Sequence, residues 1–328
     1  MRALVSLPVV TLVALVPIGA SAWAGGPPSS GQIVFSRYDP ASGEPHIVIA
    51  DPSGRHERGL ALPLPSDNPI WSPDGSRILV FAFPPDGPPR PATVRPDGSG
   101  FRLLKVPALP QDADVRCTAW SRRGKLLCQV GRAAGGDPAL NGIYTIRASD
   151  GGEVRRLTTN PYPPSGDFGG GDIPGDFSPD GSRFVFMRAK PGPEPTPDIG
   201  QSGALFVANS DGTGLRQITD YGLPNSHDNG LAHWSPNGQT LVFAGEQGEL
   251  LLAKPDGTHL TRIHLQVEGD AFAFTPGWSP SGGRVVFSLF LRQSGQEDIY
   301  TADLHGGHLA QVTKTPEPED FANWTGHR

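Results

Sequence analysis

Trp71-Ser72-Pro73-Asp74-Gly75-Ser76-Arg77-Ile78-Leu79-Val80-Phe81 is the stretch from which the fold of this chain can be read. Proline presets φ at the second position of a turn and Asp suits the third. Gly accepts the left-handed conformation that leads back into a strand. Ile78 to Phe81 is then a short, unbroken apolar run, rich in branched and aromatic residues, and reads as a strand covered on both faces. It is too short for a helix, and proline and glycine flank it closely. Trp71 ends the preceding strand, so the phrase is a β-hairpin.

The phrase recurs along the chain. Copies stand at Trp120-Ser121-Arg122-Arg123-Gly124, Phe177-Ser178-Pro179-Asp180-Gly181, Trp234-Ser235-Pro236-Asn237-Gly238 and Trp278-Ser279-Pro280-Ser281-Gly282. A sixth begins at Trp324-Thr325, and its missing strand stands at the other end as Gln32-Ile33-Val34-Phe35. Each copy has a second half, in which a strand leads through another Gly turn to a closing strand. Asp51-Pro52-Ser53-Gly54, Ser149-Asp150-Gly151 and Ser210-Asp211-Gly212 are such turns, and Arg156-Leu157-Thr158 and Gln217-Ile218-Thr219 are such endings. Four strands per unit and six units, spaced roughly 40 to 57 residues apart, predict an all-β, six-bladed β-propeller of four-stranded antiparallel blades. The N- and C-terminal strands are expected to share one blade and close the ring, which leaves only short, protected edges.

Residues 31–328 are assigned to this ring. Before it, Arg2 is followed by an apolar run over residues 4–18 and by Ala20-Ser21-Ala22 and Ala22-Trp23-Ala24, both small-x-small cleavage patterns. Residues 1–24 therefore read as a secretory signal peptide and 25–30 as a short linker. The competing reading is an uncleaved anchor, against which Pro8, Pro17 and the shortness of the run count. No later segment reads as a membrane span. The protein is expected to be secreted or periplasmic, and monomeric. The formal charge of −6 does not favour nucleic acid or an anionic membrane as a partner.

Cys117 and Cys128, the only cysteines, flank the Ser121–Gly124 turn. A two-residue turn would set them directly opposite and allow a disulfide; a bulged turn would shift the register and put them on opposite faces. Two buried thiols are the alternative.

In a four-stranded blade the first and third turns lie on one end of the ring, and the second loops and blade connections on the other. The long segments 83–91, 131–140, 160–176, 190–201, 220–232 and 264–277 all fall on the second end. Binding residues are expected there and at the mouth of the central channel. Carboxylates precede each innermost strand: Asp67; Asp112 and Asp114; Asp167, Asp172 and Asp176; Asp228; Glu268 and Asp270; Glu319 and Asp320. Gathered round one axis they would attract a cation, a basic peptide segment or an amino terminus. Each could equally cap loop N–H groups. The candidate binding residues are Asp114, Asp172, Asp176, His227, Asp228, His233, Asp270 and Asp320. Asp167, Asp172 and Asp176 on a Gly-rich loop form a calcium candidate, though no EF-hand spacing is present. Otherwise no cofactor is expected. His227, Asp228 and His233 lack the spacing of any zinc motif. No nucleophile elbow, H-E-x-x-H or phosphate loop occurs.

The repeated W-S-P-D-G-x-x-I/L-x-F unit, with its later D-G turn and closing R-x-L-T, resembles the TolB-type β-propeller repeat over residues 31–328. The resemblance is specific at 71–81, 177–186, 234–243 and 278–287 and weaker where Arg122-Arg123 replaces Pro-Asp. It implies an exported six-bladed ring that binds other proteins, here without the α/β domain that precedes the ring in TolB. The function expected is an exported, non-catalytic binding propeller whose partner is an envelope or extracellular protein, or a cationic peptide segment. The alternative is a metal-dependent hydrolase, lactonase or lyase with its site at the same mouth.

Overall fold

The computed structural model describes residues 31–132, 138–159, 171–191, 201–221, 223–224, 231–245 and 248–325. Within them lie six antiparallel sheets, each with a path of four strands. Blade 1 holds Gln32–Tyr38, Pro45–Ala50 and Arg58–Gly59, with Glu319–Thr325 as its innermost strand. Blade 2 holds Ser66–Trp71, Ile78–Ala82, Arg90–Val94 and Arg102–Leu103, and blade 3 Ala113–Trp120, Lys125–Arg132, Gly142–Arg147 and Arg155–Arg156. Blade 4 holds Asp172–Phe177, Arg183–Pro191, Gln201–Asn209 and Arg216–Gln217, with Leu223–Pro224 as an added pairing. Blade 5 holds His233–Trp234, Leu241–Ala244, Leu250–Ala253 and Thr261–Ile263, and blade 6 Ala271–Trp278, Arg284–Leu291, Gln296–Asp303 and Ala310–Gln311. Ring closure is as the sequence predicts: Ile33 pairs with Trp324 and Gln32 with Thr325.

The opening phrase forms the expected hairpin. Trp71 pairs with Ile78, and the Gly75 amide, at φ 68°, donates to the Ser72 carbonyl at 2.8 Å. The Asp74 carboxylate accepts from the Ser72 hydroxyl at 2.6 Å and the Ser76 amide at 3.1 Å, so it closes the turn from inside.

Six apolar clusters fill the six seams between consecutive blades. This is why the second strands are apolar on both faces. Ile33 and Phe35 face blade 6, whereas Val34 faces blade 2. The second Gly turn serves the same seams. A Cβ on Gly54, at φ 74°, would lie 1.8 Å from the carbonyl oxygen of Val312, in the closing segment of blade 6. Only glycine permits that approach.

Blade 3 carries the cysteine pair. Near its turn Trp120 faces Leu126 and Ala119 faces Leu127, a register that would put Thr118 opposite Cys128. A bulge at Thr118 shifts the register by one and brings Cys117 opposite Cys128, with their sulfurs joined at 1.99 Å. The extra residue has a role of its own, because the Thr118 hydroxyl donates to the Pro174 and Gly175 carbonyls of blade 4 at 3.0 and 2.9 Å.

The signal-peptide and linker residues 1–30, Asp167, His227 and Asp228 lie outside the described residues. Among those described, no helix is long and apolar enough to cross a membrane.

Candidate functional site

The carboxylates that precede the inner strands have individual fates. Asp67 of blade 2 accepts from the Ser36 hydroxyl of blade 1 at 2.5 Å, the Tyr38 hydroxyl at 3.0 Å and the Asn68 amide at 2.6 Å. Burial pushes its carboxyl above the ordinary value, against the pull of these hydrogen bonds and of the Arg116 charge. Asp320 of blade 1 repeats the arrangement one seam earlier. It accepts from the Ser288 and Thr275 hydroxyls of blade 6 at 2.6 Å each, and from the Phe321 amide at 2.5 Å. Both stand four residues before the repeat tryptophan, and both precede a residue in the left-handed region, Asn68 at φ 48° and Phe321 at φ 56°. Each carboxylate thus ties an inner strand to the second strand of the preceding blade.

The other candidates do not converge with them. Asp172 is buried and held by the Arg188 guanidinium through Nε at 2.7 Å and Nη2 at 2.8 Å, while that guanidinium lies over the Phe186 and Phe206 rings. Asp176 accepts from the Trp234 amide at 3.3 Å and lies 3.7 Å from Nδ1 of His233, so these two candidates do meet across the seam between blades 4 and 5. Asp114 pairs with Arg116 at 2.9 Å. Asp270 is exposed on the rim, 3.3 Å from Arg292. Glu319 accepts from Nε of Arg37 at 2.9 Å and from the Thr313 and Thr315 hydroxyls at 2.9 and 2.5 Å; burial pushes its carboxyl up to about 7 despite these partners. Among the described residues no three His, Cys, Asp or Glu side chains form a group that could hold a metal ion.

On the loop end of the ring, side chains from blades 1 to 5 enclose a small cavity of about 90 Å³. Phe321, Asp67, Arg116, Gln129 and Leu231 line it, and Phe83 stands at its edge, 36% exposed. Sequence reasoning found Asp67 here and missed Arg116, Gln129 and Phe83. One signal was available. Arg116 stands four residues before Trp120, the place that Asp67 and Asp320 hold in their own blades.

With this geometry in view, the fold can be set beside known proteins. No family model matches the sequence, and no curated protein matches it. Solved structures do match. TolB from Acinetobacter baumannii is 16% identical over 91% of this chain and 67% of its own, with a TM-score of 0.66. A putative TolB from Agrobacterium tumefaciens is 16% identical over 90% of this chain and 99% of its own, with a TM-score of 0.60. Hydrazine synthase from Kuenenia stuttgartiensis is 14% identical over 92% of this chain and 47% of its own, with a TM-score of 0.64. The chain has the fold of a TolB-like six-bladed propeller. At this identity the likeness extends to the fold alone.

Proposed function

We propose that the chain is an exported binding propeller that takes a protein partner on its loop end, over the channel mouth. The carrying observation is the size and lining of the mouth cavity. At about 90 Å³ it is well below the size of a pocket for a metabolite and suits one inserted side chain. Its lining offers one acid, Asp67, one guanidinium, Arg116, and the Gln129 amide, with Phe83 as apolar rim. That mixture fits the centre of a protein interface, where a single anchor fills a pocket and polar groups fix its orientation. The TolB-like fold and the amino-terminal apolar segment support export. The involvement of Asp172 with Arg188 weakens the competing reading of a metal-dependent enzyme.

The test uses the full chain as bait on the envelope and secreted fractions of its host, beside Phe83→Glu and Gln129→Glu variants. A protein retained by the parent and lost by both variants supports the reading. Equal retention by all three baits overturns it. Turnover of an ester or lactone that depends on added metal would favour the enzyme instead.

A further inference from the structure

The opposite end of the ring carries a second concave site. Between the turns of blades 2 and 3 lies a cleft of about 870 Å³, within the usual range of ligand pockets. Six arginines line it: Arg77, Arg95, Arg102, Arg122, Arg123 and Arg147. Asp74 is the one carboxylate in the lining, and its own turn engages it. Such a concentration of positive charge stands out on a chain of net charge −6. Arg147 is paired, with Asp150 at 2.6 Å and Glu153 at 2.7 Å. Arg102, Arg122 and Arg123 are exposed, and among the described residues none of their side chains makes a hydrogen bond or ion pair. Burial, and then the charges of Arg95 and Arg102, hold the Arg77 guanidinium below its ordinary value, so the arginines repel one another where they stand.

The packing of the repeat turns also differs at this cleft. At the later seams the proline of one repeat turn meets the glycine of the next. A Cβ on Gly238 would lie 3.5 Å from Pro179, and one on Gly282 would lie 3.5 Å from Pro236. At the seam between blades 2 and 3, a Cβ on Gly124 would meet nothing within 4 Å. Trp71, Trp234, Trp278 and Trp324 are buried, whereas Trp120 is partly exposed and lines the cleft. Pro73 stands in the turn of blade 2 but lies more than 4 Å from where that Cβ would be, and the facing turn of blade 3 carries Arg122-Arg123 in place of Pro-Asp, which sets two arginines on the wall of the cleft.

We propose that this cleft binds an acidic oligosaccharide, with its acid groups on the arginines and a sugar ring on the Trp120 indole. Several separate guanidinium groups suit several acid groups along a chain better than one small ion. Guanidinium forks match carboxylate and sulfate oxygens alike. The lining also presents the exposed hydroxyls of Ser76 and Ser149, which can exchange hydrogen bonds with sugar hydroxyls. The lining lacks the aliphatic anchors that a bound peptide would need. It has one aromatic platform, whereas single-stranded nucleic acid stacks successive bases on several. This site is independent of the mouth cavity, which lies at the other end of the same strands.

The test is titration of the full chain at low salt with a hyaluronan hexasaccharide, a heparin hexasaccharide, neutral maltohexaose, a glutamate hexapeptide and a thymidylate hexamer. Binding is read by calorimetry and by tryptophan fluorescence. The expected result is binding of the carboxylated or the sulfated glycan, with no binding of maltohexaose. The two acidic arms distinguish which acid group the arginines prefer. The fluorescence change should vanish in Trp120→Phe. Arg122→Pro with Arg123→Asp, which restores the repeat turn, should weaken binding by about tenfold or more. If that variant does not fold, Arg122→Gln with Arg123→Gln gives the same readout at exposed positions. Absence of binding by both acidic glycans overturns the proposal. So does equal or tighter binding of the peptide or the thymidylate, or an affinity unchanged by removing both arginines.

Discussion

Ser36→Ala is the sharpest test of the carboxylate ties between blades. The Ser36 hydroxyl donates to Asp67 at 2.5 Å and accepts from the Asn68 amide at 3.1 Å. Alanine removes both contacts and leaves Asp67 with the Tyr38 hydroxyl and its neighbouring amide. The serine is itself fully buried, so water is poorly placed to replace it. A hydrogen bond to a charged group is worth about 1.5–3 kcal/mol, so the loss should fall in that range. Urea unfolding at pH 7 should show a lower midpoint with an unchanged slope. A cycle with Asp67→Asn should give a coupling of about 1 kcal/mol or more, because the two side chains touch. Ala82→Ser supplies the mirror experiment. Ala82 holds the same strand position in blade 2, and the following blade presents Arg116 where a carboxylate would stand. A hydroxyl there gains no such acceptor and should destabilise by about 1–3 kcal/mol. A Ser36→Ala cost below about 0.5 kcal/mol with no coupling to Asp67 would refute the tie.

Three further outcomes follow from the structure. The Glu319 carboxyl, raised to about 7, contributes stability fully below the ordinary glutamate range and loses it as pH rises through 7. Stability should therefore fall by about 1–2 kcal/mol between pH 5 and 8 after allowance for solvent screening, and Glu319→Gln should flatten that fall in thermal melts; an unchanged slope in the variant would assign the effect elsewhere. Cys117 and Cys128 are fully buried and bonded, so iodoacetamide should label neither in the native protein and both only after reduction in urea. Replacing both with alanine should cost about 2–3 kcal/mol, and native labelling without reductant would contradict the bond. Gly54→Ala should cost about 2–4 kcal/mol by driving a methyl into the Val312 carbonyl. Gly43→Ala, at φ 72° with nothing within 4 Å, should cost only about 1 kcal/mol; equal losses in the two would remove the seam argument.

What the sequence reveals about this ring is what depends on neighbouring residues. The hairpin phrase, the second Gly turn and the split closing blade rest on local turn chemistry and a repeated apolar run, so they can be read directly. The partners of the carboxylates cannot, because Ser36 and Asp67 meet only after two blades pack. Yet the repeat held a usable signal. Ser36 and Ser288 follow Phe35 and Phe287 at the same strand position, and Asp67 and Asp320 open the next inner strand in each case. The second strands with Ala82, Met187 and Ala244 at that position precede inner strands with no carboxylate four residues before Trp120, Trp234 and Trp278. Serine and aspartate therefore occur together or not at all in these seams, a correlation visible when the repeats are aligned with one another. The cysteine register was less accessible, because the bulge at Thr118 is favoured by two carbonyl acceptors in the next blade.

The departures from the repeat gather in blade 3, and this bears on function. Arg116 takes the position where Asp67 and Asp320 act as ties, and it lines the mouth cavity. Arg122 and Arg123 take the place of the turn's proline and aspartate, and the seam beside them opens into the arginine cleft. Both changes remove contacts that stabilise other blades, and both leave charge facing solvent-accessible space. Substitutions that forgo a stabilising role are expected where binding is selected. The Cys117–Cys128 bond lies between these two ends, on the same inner and second strands. A covalent tie between these strands would hold the pair together where the turn lacks its Asp contact. If that is its role, the cysteine-to-alanine chain should lose affinity for acidic oligosaccharide before it loses the ring, as the Arg122–Arg123 turn gains freedom. A cysteine variant that binds as tightly as the parent would restrict the bond to stability alone.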